Sequence, residues 1–488
     1  MVKKKYILTE GMYGDTAIIA FIASLAIKFK GDNQKIISIQ IPSSANFDNE
    51  LSNKGIIVYR WRTVLFGFIY SFYYLPYLFF NLIVKNHNNI YNVFKHENVD
   101  FSSEFKDTLS VKYGIFWERK NIFILTLIIF YELLIFKAIL NFVKKRNDII
   151  DLIIIGDTAY RYGYFSKLSS KFSIPIICNI DLNSIYMNYY PNGYVFEVNR
   201  PISRFSLEEI KTNNLDYKNS IDKYFNNRTN GTIVQHDVKL AYNLESKNDV
   251  NSLLKNKEKK IIVSVFAHIF SDAPRNIPGL LFEDFYTWFV ETIKSLSKND
   301  NVYVLIKEHP SVSLYFGEKG LVRDILDTEF PLFKDYVILE NYIPTDIISI
   351  SDFVITASGT IGLEAIYYNK NVIVAADTPY SGLGLTLDFN TGLEYCNYLE
   401  LLNKSLCDKI KFDNAQLISF IYFILLNNRD LYSDFPLKSY VRGEDFNISE
   451  LIFDNLINYV NYDSKFCRDL EYMFNSNKSF FIPKIELW

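Results

Sequence analysis

Cysteine is scarce: Cys178, Cys396, Cys407 and Cys467 are the chain's four, and no two form a CxxC pair. That spacing excludes a disulfide framework and structural zinc, and it fits a reducing compartment. An excess of either charge is lacking too. Lys+Arg number 52 against Asp+Glu 55, a net charge of −3, so there is no global basic field and no nucleic-acid partner is expected. With 49% hydrophobic and 22% charged residues the chain is neither disordered nor low in complexity. Internal repeats of 20–50 residues are absent. Tryptophan is rare at 4 beside Phe 41 and Tyr 36, a skew shared with the abundance of Lys, Asn and Ile. Such a skew reflects AT-rich coding, so single aromatics are discounted as signals. The 488 residues suffice for two or three domains.

A secretion signal is missing at the start. Lys3-Lys4-Lys5 runs into Tyr6–Thr9 and then Glu10-Gly11-Met12-Tyr13-Gly14-Asp15, with no apolar run before a small-residue cleavage site. The expectation is a cytoplasmic protein, and Asn-x-Ser/Thr sites at Asn227, Asn230, Asn403 and Asn447 then carry no meaning. Two apolar stretches qualify this: Val64–Val84 has no charge, and Ile122–Val143 carries only Glu132 and Lys137 before Lys144-Lys145-Arg146. Pro76 interrupts the first and two charges sit mid-way in the second. In-plane docking or ordinary core helices are therefore expected over a true span. Peripheral contact with the cytoplasmic face of the inner membrane is the localisation this leaves open.

What is present is an alternation of strand and helix. Tyr6–Leu8 and Lys35–Gln40 flank a helix at Ile18–Phe29, and further strands fall at 149–155 and Pro175–Ile180. The pattern resumes with strands at Lys260–Phe266, Val302–Ile306, Tyr336–Leu339, Phe353–Thr356 and Val372–Ala375, and a helix at Phe282–Leu296. This βαβ order predicts parallel sheets covered by helices, with ligands at the carboxyl edges. The expected architecture is α/β: two doubly wound, Rossmann-like domains facing a central cleft. Residues 1–245 form the acceptor side, 246–440 the nucleotide-sugar side, and the helical tail 441–488 returns to the first domain.

The second half carries the chemistry. Strand Val302–Ile306 runs into Lys307-Glu308-His309-Pro310, and the proline keeps the exit extended, so His309 projects from the carboxyl edge. An imidazole there holds a phosphate or protonates a leaving oxygen, unless it is simply a turn residue. Lys307 would share its strand face. Phe353–Thr356 leads into Ala357-Ser358-Gly359-Thr360-Ile361-Gly362-Leu363-Glu364-Ala365. Small residues at a strand-to-helix turn admit an anion to backbone N–H groups, or merely cap a helix. Glu364, one turn in, could accept from ribose hydroxyls. Loops after Phe266 bring His268 and Asp272, and a Gly-rich turn follows Ala376-Asp377.

Across residues 261–388 this run resembles bacterial capsular and surface polysaccharide glycosyltransferases of the GT-B fold. Its His-Pro and Ser/Thr elements are similar to those of transferases using CMP-activated 2-keto sugars, Kdo and sialic acid. The resemblance implies that His309 contacts the donor phosphate and assists nucleotide departure. It implies that Ser358 and Thr360, around Gly359, bind the same phosphate, and that Glu364 serves the ribose or base side. Lys307 and His268 join the donor set. The chain departs from those families in lacking an Asp-Asp-Gly or Asp-Glu-Gly base element. It lacks paired glutamates as well, since Val372 stands eight residues after Glu364, and it lacks a suitably placed Asp-x-Asp. An inverting, metal-independent transfer is therefore expected, with no cofactor beyond a nucleotide-sugar co-substrate and a glycan or lipid-linked glycan as acceptor. The base is sought among Asp272, Asp157 and Asp15, each just beyond a strand. A UDP-sugar transferase, a UDP-sugar 2-epimerase and a non-catalytic capsule-assembly component are the alternatives.

Overall fold

The computed structural model describes residues 5–12, 15–42, 46–85, 87–181, 186–193, 218–229, 236–242, 250–254, 260–378, 380–382, 384–407, 434–437, 448–462, 464–475 and 480–481. The chain divides into two units, one of residues 1–108, 116–198 and 426–488, the other of 109–115 and 199–425.

The first unit opens with β1 (Lys5–Glu10), α1 (Thr16–Lys28), β2 (Gln34–Ile39), α2 (Asp48–Asn53) and β3 (Ile57–Tyr59). Asp15 starts α1 by accepting from Ala17 N–H (2.8 Å), and ten successive residues of that helix, Ala17–Ala26, are buried. Next come α3 (Trp61–Ser71), α4 (Tyr74–Ile83), α5 (His87–Asn92) and a small hairpin of β4 (Lys95–His96) and β5 (Val99–Asp100). They are followed by α6 (Ser102–Tyr113), α7 (Ile122–Lys144), β6 (Ile150–Ile154), α8 (Gly163–Phe172), β7 (Ile176–Asp181) and β8 (Tyr186–Tyr190).

The apolar stretch Val64–Val84 is not one helix but two, bent by 68°. Pro76 explains the break: its ring cannot accompany a helical carbonyl four residues back, at Phe72, so it is accommodated only in the first turn of a new helix. The long helix α7 is a core element over most of its length. Its Glu132 is buried and forms a bidentate pair with Arg161, whose Nε donates at 2.7 Å.

The second unit holds α9 (Lys218–Thr229), α10 (His236–Tyr242), β9 (Ile261–Phe266), α11 (Phe285–Leu296), β10 (Val302–Lys307), α12 (Leu321–Glu329) and β11 (Tyr336–Leu339). It continues with α13 (Pro344–Ile350), β12 (Phe353–Thr356), α14 (Ile361–Tyr367), β13 (Asn371–Val374), α15 (Gly392–Glu400) and α16 (Lys404–Cys407). The tail supplies α17 (Glu450–Asn461), α18 (Lys465–Asn475) and β14 (Phe480–Phe481).

The sheet orders are β14-β8-β7-β6-β1-β2-β3 and β11-β10-β9-β12-β13. Strands β3-β2-β1-β6-β7 and all five of the second sheet are parallel, while β8 and β14 add antiparallel pairs. Both parallel sets therefore share one doubly wound order, in which the chain builds two strands to one side of the first and then crosses to the other. The crossings make switch points between β1 and β6 and between β9 and β12. This is the α/β, Rossmann-like fold class expected, and the tail returns as expected: Phe453, Leu456, Phe466 and Leu470 join α1 in the first unit's core.

The expected boundaries at 245/246 and 440/441 fall outside the described residues. Helices α9 and α10, expected in the first domain, group instead with the second unit. Arg228 and Tyr242 tie them to Glu364 there. The polar composition of 215–260 reads as a linker in sequence, yet Phe225, Arg228, Val238 and Tyr242 of these two helices are buried.

Candidate functional site

In the second unit the strand exits on either side of the switch point are joined by one imidazole. His268, two residues past β9, accepts the Ser358 N–H at Nε2 (3.1 Å), and the Thr356 hydroxyl at the end of β12 lies 3.1 Å from the same nitrogen. Thr356 Oγ1 in turn accepts from Gly359 N–H (3.1 Å). An Nε2 that accepts places the ring proton on Nδ1. Burial pushes the pKa of His268 down to about 3, and His309 close by adds to the shift, so His268 is a neutral clamp. Its ring stacks on Phe285 at 4.3 Å. His268 therefore shapes the Ser358–Thr360 turn from behind.

That turn needs its glycines. A Cβ on Gly359 would stand 2.8 Å from Thr356 Oγ1, and one on Gly362 would stand 2.3 Å from the Tyr380 hydroxyl. Tyr380 is buried and donates to the Gly359 carbonyl (2.5 Å). The turn is thus pinned from two sides, with Ser358 half-buried and Thr360 exposed at the start of α14. Residues Pro379 and Leu383 of the neighbouring Gly-rich loop lie outside the described residues.

His309 follows β10. Its Nδ1 accepts from Ser311 N–H (3.2 Å), which fixes the proton on Nε2. In this arrangement the ring is a hydrogen-bond donor. Donating a proton would require an N–H on both nitrogens and would turn Nδ1 against the Ser311 N–H. Lys307 goes elsewhere than expected: its Nζ donates to the Glu340 carbonyl (3.0 Å) beyond β11, the strand on the far side of β10 from the switch point. Burial lowers its pKa to about 8.

Glu364 is also committed elsewhere. It is 3% exposed, accepts from Arg228 Nε (2.6 Å) and from the Tyr242 hydroxyl, and so has both oxygens engaged within the protein. Arg228 Nη2 also reaches Thr360 Oγ1 at 3.5 Å, which sets a guanidinium beside the turn. Sequence reasoning missed Arg228, because nothing in Asn226-Asn227-Arg228-Thr229 announces a partner 136 residues away.

Of the three acids weighed as base, two cap backbone. Asp15 starts α1, and Asp157 Oδ1 accepts from the N–H groups of Thr158 (2.6 Å) and Ala159 (2.9 Å). Asp272 is exposed in the β9 exit loop, whose shape is set by Glu318 accepting from Phe270 and Ser271 N–H groups. The acid at the first unit's switch point is Glu10, which the sequence reading, ending the strand at Leu8, left in the loop; it is the last residue of β1. Its carboxylate accepts from Met12 N–H (2.9 Å) and, across to the β6 exit, from Gly156 N–H (3.0 Å). Burial pushes its pKa up to about 7 against the pull of those two donors, and Asp157 adds to the rise. Among the described residues no three His, Cys, Asp or Glu side chains gather as a metal-ligand group.

Residues 211–397 match the family model described as capsule polysaccharide biosynthesis protein, a span that includes His268, His309, the Ser358–Gly362 turn and Arg228. No curated protein matches the chain. Among solved structures it is similar to the KpsC β-Kdo 2,4 transferase of Thermosulfurimonas dismutans, at 16% identity and a TM-score of 0.32 over 63% of this chain and 87% of that one. HepE of Anabaena, solved in complex with UDP and glucose, shows 13% identity and a TM-score of 0.29 over 88% and 99%. A UDP-N-acetylglucosamine 2-epimerase assignment from Listeria monocytogenes, described as putative, shows 12% and 0.28 over 92% and 100%.

Proposed function

We propose that the chain is a glycosyltransferase of capsule or surface polysaccharide synthesis whose second unit binds a nucleotide-sugar donor at the β9/β12 switch point. The observation that carries this is the Ser358–Gly362 turn, clamped by His268 and Tyr380 inside the span that matches the capsule family model. A rigid turn of small residues with Arg228 beside it suits a phosphate, because the Ser358 and Thr360 hydroxyls and the Arg228 guanidinium are positioned before the ligand arrives and lose little entropy on binding. The donor favoured is a CMP-activated 2-keto sugar acid of the Kdo or sialic acid type, transferred without a metal to a glycan or lipid-linked glycan. In an inverting transfer Asp272 takes the base role, since Asp15 is spent on the start of α1 and Asp157 on the loop N–H groups of Thr158 and Ala159. The epimerase alternative loses ground because its one candidate carboxylate, Glu364, is held by Arg228 and Tyr242.

His309 then stabilises charge on the leaving phosphate through Nε2–H and not by proton transfer. The test is kinetic. His309→Ala is expected to lower kcat about 10²–10³-fold, the usual cost of one lost donor to a developing anion. His309→Asn, which keeps an N–H, should recover much of that loss with CMP-Kdo or a CMP-sialic acid as donor. Thermal shifts with CMP and UDP, and turnover in EDTA, decide the nucleotide and the metal. Near-normal kcat in a folded His309→Ala protein removes His309 from the reaction. A shift with UDP alone, or loss of turnover in EDTA restored by Mg²⁺, overturns the donor or the metal reading.

A further inference from the structure

Helix α3 is built inside out for a helix in water. The face it turns to α7 is small and polar: Thr63, Gly67 and Ser71, one turn apart, are buried. A Cβ on Gly67 would fall 2.1 Å from the Leu134 carbonyl oxygen, and Ser71 Oγ donates to Leu133 O (3.5 Å), so the two backbones are nearly in contact. The large apolar side chains point the other way. Leu65, Ile69 (61% exposed) and Phe72 on α3, Phe80 (63%) on α4, and Phe123 (68%) and Leu127 on the first turns of α7 all face outward. The face is continuous, because Phe79 of α4 meets the ring of Phe123 at 5.3 Å. Small residues inward and large apolar residues outward is how helices pack when the surrounding solvent is hydrocarbon.

Charge says which hydrocarbon. From Arg60 to Lys85, and again from Arg119 to Tyr131, the sequence has no acidic residue. Arg62, Lys85 and Arg119 stand exposed at the ends of the apolar segments, and Lys144 and Lys145 end α7. Arg60 is balanced by Asp48, and the one neighbouring acid exposed beside Arg119, Glu118, accepts from Tyr91. A second copy of the chain would bring this basic rim against its own like, whereas anionic headgroups complement it. The geometry excludes a span: α3 and α4, of 11 and 10 residues, are each roughly 15 Å long against a hydrocarbon core of about 30 Å, and they bend by 68°. Most of α7 is buried in the protein.

We propose that the outward face of α3, α4 and the first two turns of α7 lies in the interface of an anionic phospholipid bilayer, with Arg62, Lys85 and Arg119 among its headgroups. The inference stands apart from the nucleotide-sugar reading, and either can fail alone. Flotation of the full chain tests it, with vesicles of phosphatidylcholine alone or with one third phosphatidylglycerol. The chain should float with the anionic vesicles, less with neutral ones, and less again in 0.5 M salt, where the screening length is about 4 Å. Ile69→Asp/Phe80→Asp, at exposed positions, should abolish flotation while keeping the melting temperature. Arg62→Gln, Lys85→Gln and Arg119→Gln should each weaken partitioning about fivefold on anionic vesicles. Failure to float with anionic vesicles, equal binding to neutral ones, or unchanged flotation of the double variant overturns the proposal. So does a dimer that the double variant converts to monomer in the absence of any vesicle binding.

Discussion

At the scale of the residue, the polar groups at the two switch points divide into those that shape and those left to act. Glu364 shapes. Its carboxylate and the Arg228 guanidinium are both buried, so neither tolerates loss of the other. Arg228→Met should cost about 3–5 kcal/mol of stability by leaving Glu364 uncompensated, read as a fall in melting temperature of the apo protein. A ribose-binding glutamate would behave otherwise, and Glu364→Gln with normal melting but raised donor KM would restore that role. Glu10 gives a pH dependence. With its pKa raised to about 7, the folded chain keeps a proton between about pH 4.5 and 7 that the unfolded chain has released. This group's contribution therefore falls as pH rises through that window, by on the order of 3 kcal/mol, and is level above it. Urea unfolding at pH 5 and pH 8 checks this: wild type should lose more stability across the interval than Glu10→Gln. Equal losses would show that burial does not hold the proton.

At the scale of the element, close approach matters more than propensity. Gly67 stands at the crossing of α3 and α7, where the atom facing it is main chain and cannot swing aside. Gly67→Ala should therefore destabilise by about 1–3 kcal/mol, although alanine is the better helix former. A gain in melting temperature would mean that the helices part freely. Strand positions were legible in the sequence because runs such as Ile261–Phe266 are buried on both faces and bounded by turn residues. Five strands were not. Strand β3 is three residues long, β4 and β5 two each, β8 carries Asn188 in its centre, and β14 pairs from the far end of the chain. The break between α3 and α4 was signalled by Pro76, yet its place, four residues earlier, follows from the carbonyl that proline displaces and not from the proline's own position. In the site, the Gly-bearing turn was legible by composition. The partners of Lys307 and Glu364 were not, because Glu340, Arg228 and Tyr242 are distant in sequence and carry no periodic signal.

At the scale of the whole molecule, two sheets whose parallel strands share one winding order give the chain two switch points of different chemistry. The first is closed by a carboxylate that bridges β1 to β6, and the second by a neutral imidazole that bridges β9 to β12. The former meets a phosphate with carboxyl oxygens, acceptors like its own, whereas the latter offers the Ser358 and Thr360 hydroxyls, Arg228 and the His309 Nε2–H. Nucleotide binding should then register in only one unit. Hydrogen exchange of the full chain with and without saturating CMP should slow amides in peptides covering 266–273 and 356–364. Peptides covering 8–12 and 154–160 should exchange at unchanged rates, because they belong to the first unit, where no nucleotide binds on this reading. Saturation at a hundred times Kd adds about 2.7 kcal/mol to the state that binds, enough to slow exchange through openings of the second unit by up to roughly a hundredfold. Protection at 8–12 with none at 356–364 would move the donor to the first unit and leave the His268 clamp a purely structural device.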